Sequence, residues 1–122
     1  MDFRLEEIKL EDKIIEIKVP LNKNYKRCLY VNIDAAELIY LNLDDQFKEK
    51  YPFKIIDNII YEQNNYISIR QHLDGYSGDE IDDLNIDFIQ ERVNTDEYKL
   101  SKEEILKIFE VEKYYFVLIG VM

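Results

Sequence analysis

The side chains best suited to chemistry in this chain are carboxylates. The stretch from His72 to Glu91, HLDGYSGDEIDDLNIDFIQE, contains no Lys or Arg. Taken as a helix from Asp79 to Val93, it sets Glu80, Asp83, Asp87 and Glu91 at spacings of 3, 4 and 4 residues, which is one ridge. Ile81, Leu84 and Phe88 then form a stripe on another side. Taken as a strand from Asp83 to Phe88, it turns Leu84, Ile86 and Phe88 inward and Asp83, Asn85 and Asp87 outward. Both readings place Asp83 and Asp87 in solvent among other acids. No Lys at i+4 offsets the ridge, so its neighbours repel by a few tenths of a kcal/mol per pair.

A row of carboxylates can imitate nucleic-acid phosphates, enter a basic groove and speed association at low salt. It can also serve only as a solvated face. Asp79, Glu80, Asp82, Asp83, Asp87 and Glu91 are the candidate partner-binding residues, with Tyr76 as a central anchor and Asn85 and Gln90 as hydrogen-bonding neighbours. A dedicated metal site is not expected. DGYSGDEIDD lacks the D-x-D-x-D-G spacing and closing Glu of an EF-hand loop.

Motifs for other chemistry are missing. GYSG is not the G-x-S-x-G of a nucleophile elbow, and Gly75 and Gly78 read as turn residues. His72 is the only histidine and reads as structural. Cys28 is the only cysteine, so no intramolecular disulfide forms; in a strand it would be a buried, inert thiol. There is no CxxC, HExxH, Walker A or GxGxxG pattern. Four Glu-x-Lys tripeptides occur, at Glu7, Glu11, Glu16 and Glu97, where 14 Glu and 12 Lys supply one or two by chance, and the negative field argues against a nuclease reading of them.

The charge is unevenly spread. Of a net −10, residues 1–61 contribute 12 acids and 10 bases, and residues 62–122 contribute 14 acids and 6 bases. Asp74 to Glu97 alone holds nine acids against Arg92. Such a field repels nucleic acid and anionic membranes and attracts basic proteins. The longest apolar run, YYFVLIGVM, is nine residues, against roughly 20 for a spanning helix. With no signal-like N-terminus, a cytoplasmic protein is expected.

The elements that must position these groups read as follows. The 122 residues suit one domain, and a hydrophobic content of 47%, with 18 Ile, supports a core. Phe3 to Leu10 and Ile14 to Val19 alternate as strands around a turn at Glu11-Asp12-Lys13. Cys28 to Ile33 reads as a third strand. Asp34 caps a helix carrying Ala36, Ile39, Tyr40, Leu43 and Phe47 on one face, stopped by Pro52. FKIIDNIIYE and YISIRQHL flank Gln63-Asn64-Asn65 as a hairpin. Ser101 and Glu104 open a last helix, and KYYFVLIGV reads as a buried strand. Tyr114, Tyr115 and Phe116 belong to the core.

The expected fold is therefore α+β: one domain with an antiparallel or mixed sheet of about five or six strands and two or three helices. The expected function is non-enzymatic and needs no cofactor. An acidic face would dock on a basic partner, a nuclease toxin or defence effector, and block its site. In size and charge the chain is similar to toxin-immunity proteins, antitoxins and phage anti-defence inhibitors, though no motif carries a family. Two other readings stay open: a divalent-metal enzyme using clustered carboxylates, and a self-associating assembly subunit.

Overall fold

The computed structural model describes the backbone of residues 2–74 and 83–122 and the side chains of residues 2–68 and 86–122. The chain opens with a hairpin. β1 (Phe3–Leu10) pairs antiparallel with β2 (Lys13–Pro20), Leu10 opposite Lys13. Glu11 and Asp12 make the turn with φ of 52° and 64°, the positive values that a primed hairpin turn requires. Alternation works as expected: Ile8, Ile17 and Val19 are buried, while Leu5, Glu7 and Lys9 are exposed. Arg4 then ties the following loop back to β1. Its guanidinium donates to the carbonyls of Pro20, Leu21 and Lys23 and pairs with Glu6.

Five helices follow among the described residues: α1 (Asn32–Asn42), α2 (Asp45–Lys50), α3 (Phe53–Asp74), α4 (Asp83–Val93) and α5 (Lys102–Leu118). The α+β class holds, but a sheet of five or six strands does not. Among the described residues the sheet has two strands, and helix or irregular chain replaces the rest.

The stretch expected to form a third strand is irregular. Cys28 has φ 60°, its N–H bonds to the Ile119 carbonyl at 2.6 Å, and helix begins at Asn32. Asp34 is therefore inside the first turn of α1 rather than its cap. The single helix expected up to Pro52 breaks at Leu43, because Asp44 caps a new one by accepting the Phe47 N–H at 2.8 Å.

The hairpin expected around Gln63-Asn64-Asn65 is continuous helix. Ile55, Ile56, Ile59, Ile60, Gln63 and Tyr66 are buried, at steps of one and three that only a helix brings to one side. Burial of this face overrides the strand preference of isoleucine.

The C-terminal strand is also helix. Both hydrogen bonds of the Ser101–Glu104 capping box form, at 3.1 and 2.9 Å, as the sequence predicts. The helix then runs through the apolar stretch to Leu118. It ends in a Schellman motif: Gly120, at φ 78°, donates to Val117, and Val121 donates to Phe116.

Two apolar clusters result. The larger joins α1 to α5 around Ile39, Ile56, Ile59, Ile89, Ile105 and Phe109. The smaller seats the hairpin, through Ile8, Ile17 and Val19, on Ala35, Leu38, Tyr115 and Ile119. Tyr115 is buried there, its ring edge-on to Tyr25 and Tyr30, so it belongs to the core as expected. Among the described residues no helix is long and apolar enough to cross a membrane.

Candidate functional site

The acidic region rests on α4, which packs on α3 and α5. Ile86, Ile89 and Val93 are its buried side. Phe88 is half-buried against the Tyr66 ring at 5.1 Å, and the Arg92 guanidinium covers it at 4.9 Å. The buried stripe is thus rotated from the Ile81, Leu84 and Phe88 expected.

Asp87 and Glu91 are both exposed and one turn apart, which agrees with the ridge. Asp87 is not uncompensated, however. The Lys102 ammonium, at the start of α5, approaches its carboxylate at 2.6 Å. Asp83 is the first residue of α4, and its side chain lies outside the described residues. Tyr76, Asp79, Glu80 and Asp82 lie outside them entirely, and so do Gly75 and Gly78.

Gln90 faces inward to a structural task rather than outward to a partner. Its amide donates to the Leu100 carbonyl at 2.9 Å, and Asn94 brackets the same residue by bonding both its N–H and its C=O. Together they hold the α4–α5 connection. Asp96 and Glu97 are exposed on that connection, beside Lys99. Residues 86–103 carry five acids and three bases, so most of the local charge excess comes from residues 74–83.

The other sequence candidates are placed as follows. His72 sits in the last turn of α3 rather than after a strand, with its side chain outside the described residues. Cys28 is exposed in the loop before α1, not buried in a strand. Among the described residues no three His, Cys, Asp or Glu side chains gather to hold a metal ion. A small apolar recess of about 160 Å³ lies between Tyr40, Leu41 and Phe53, with Glu37 and Lys48 at its rim.

One polar cluster has no counterpart in the sequence reading. Glu112 on α5 is 2% exposed. Its carboxylate accepts from the Tyr30 hydroxyl at 2.6 Å and from the Gln63 amide at 3.1 Å. Burial raises its pKa to about 6, against the pull of those two hydrogen bonds. The same burial, with the Glu112 charge, raises that of Tyr30. The signal was present: Glu112 follows Ile105, Ile108 and Phe109 at helical spacing, so an α5 extended this far puts a carboxylate in its own apolar stripe.

Comparison of the chain with protein families, with curated proteins and with solved structures finds no match.

Proposed function

We propose that this chain is a small, non-catalytic binding protein of the cytosol that docks its acidic end on a basic partner protein. The partner's chemistry is that of a nuclease or another nucleic-acid-binding effector, whose phosphate-binding groove the carboxylates occupy and block. One observation carries the reading. Nine acids face a single base between Asp74 and Glu97, and of these Asp87 and Glu91 stand exposed on the solvent side of a packed helix.

Asp83, Asp87 and Glu91 supply the ridge on α4. Asp79, Glu80 and Asp82 precede it in sequence, with Tyr76 as the aromatic anchor. The Asp87–Lys102 pair fits this role. It is an exposed pair of small net worth, so an incoming Arg can exchange for Lys102 at little cost.

The test is capture of the partner on the tagged protein, eluted by salt, in parallel with an Asp83→Lys, Asp87→Lys double variant. The expected result is a basic protein that leaves at high salt and is not retained by the variant. Equal retention by the variant removes the ridge as the interface.

A further inference from the structure

The two edges of the hairpin differ. On β2 the carboxamide of Asn42, from the end of α1, behaves like a neighbouring strand at Lys18. Its oxygen accepts the Lys18 N–H at 2.9 Å and its nitrogen donates to the Lys18 carbonyl at 2.8 Å. The Lys18 backbone therefore points away from β1. Alternation along an antiparallel pair extends this to the partner strand. Leu5 lies opposite Lys18, so Leu5 and, at steps of two, Phe3, Glu7 and Lys9 turn their N–H and C=O away from β2. No hydrogen bond from the described residues reaches those groups. The outer edge of β1 is an open ladder.

Its side chains define what fits. Within the hairpin Glu7 stands opposite Glu16, an exposed like-charge pair with no ion pair to either carboxylate among the described residues. Lys9, one step along the same exposed face, stands opposite Ile14. A second β1 running antiparallel can meet this edge in several registers. Centring on Glu6 or on Glu7 sets that carboxylate against its own copy. Centring on Leu5 sets Glu7 against Phe3. Centring on Ile8 sets Glu7 opposite the partner's Lys9 and Lys9 opposite the partner's Glu7, each pair exchanging both backbone hydrogen bonds. The same register brings a cation to the Glu7–Glu16 pair. The hairpin is also the end of the molecule that tolerates a second copy: residues 2–23 hold six acids and five bases, so two hairpins meet without the repulsion the acidic end would impose.

We infer that the free edge of β1 is an interface with a second copy of this chain, joined as a twofold antiparallel strand pair centred on Ile8. The result is a four-stranded sheet across a dimer. The inference stands apart from the partner proposed for the acidic end.

Sedimentation or light scattering across a concentration series tests it, on the wild type, Glu7→Lys, and the swap Glu7→Lys with Lys9→Glu. The wild type is expected to pass from monomer to dimer as concentration rises. Glu7→Lys turns both cross-dimer attractions into repulsions and should weaken dimerisation about tenfold or more. It also converts the Glu7–Glu16 clash into an attraction, so the hairpin itself survives, as circular dichroism will record. The swap again sets opposite charges face to face across the twofold, with their positions exchanged, and should restore the dimer. A wild type that stays monomeric at millimolar concentration overturns the inference. So does undiminished dimerisation of Glu7→Lys, which places any interface elsewhere, or a swap variant as weak as the single one, which refutes the register.

Discussion

Residues 2–23 hold six acids and five bases, whereas residues 74–97 hold nine acids and Arg92 alone. The hairpin uses its charges as structure. Arg4 binds three carbonyls and Glu6, and Lys23 bonds Asp34 at 3.1 Å across to α1. Among the described residues the α4 region does so less, with Arg92 over the Phe88 ring as its charged packing contact. Asp87 has an exposed contact with Lys102, and what holds α4 is Ile86, Ile89, Val93 and the amides around Leu100. Where the fold is held by apolar burial and amide hydrogen bonds, the carboxylates on the outside are free to be selected for something else. That difference is the physical basis for assigning recognition to the acidic end.

The largest effect that bears on this contrast is expected in the helical core. Ile59 is fully buried between helices, so Ile59→Ala should lower stability by about 2–5 kcal/mol in urea unfolding. By contrast the charge reversals at Asp83 and Asp87 proposed above should cost only about 1 kcal/mol, from a cation at the first residue of α4 and the lost Lys102 contact. A large loss there would mean that the acids serve the fold after all.

A smaller effect concerns Glu112, the one buried carboxylate among the described residues. The pKa of Glu112 is about 6 in the native state against 4.5 ordinarily, so the native state binds its proton more tightly. That contribution is complete below pH 4.5 and is lost as pH rises through 6. It amounts to about 2 kcal/mol at most. Glu112→Gln should therefore flatten the difference in stability between about pH 4.5 and 7 relative to wild type. An unchanged slope would show that the Tyr30 and Gln63 hydrogen bonds already offset the burial.

The smallest effect belongs to the hairpin turn. Asp12 sits at φ 64°, where glycine carries no steric penalty, so Asp12→Gly should raise the thermal midpoint by the equivalent of about 0.5–1 kcal/mol. Were the midpoint to fall, unfolded-chain entropy would outweigh turn strain.

What the sequence made legible was local. Partial alternation around Glu11-Asp12 marked the hairpin, and Ser101 with Glu104 marked a helix start, because both signals act within a few residues. The exposure of Asp87 and Glu91 was legible for the same reason. Isoleucine misled. In FKIIDNIIYE its strand preference competes with a helical spacing that becomes decisive only when α1 and α4 cover that face. The run KYYFVLIGV was ambiguous by periodicity, and the deciding residue was Gly120, whose positive φ ends a helix rather than interrupting a strand. The Lys102 contact to Asp87 joins residues in different helices, and the Tyr30–Glu112–Gln63 cluster spans the chain. The helical spacing of Ile105, Ile108, Phe109 and Glu112 announces the buried carboxylate, but no local pattern announces its partners Tyr30 and Gln63 or the Lys102 contact.

α1 belongs to both apolar clusters. Ala36 and Ile39 face the helices, while Ala35 and Leu38, each one residue away, face the hairpin. A helix packed on both flanks cannot keep its shape when one neighbour departs. Detaching the hairpin therefore strips one flank of α1 and weakens its grip on α3 and α5 as well. The two clusters are thereby coupled into one cooperative unit, and α1 is where slow amide exchange should concentrate, because its bonds open only when both clusters do.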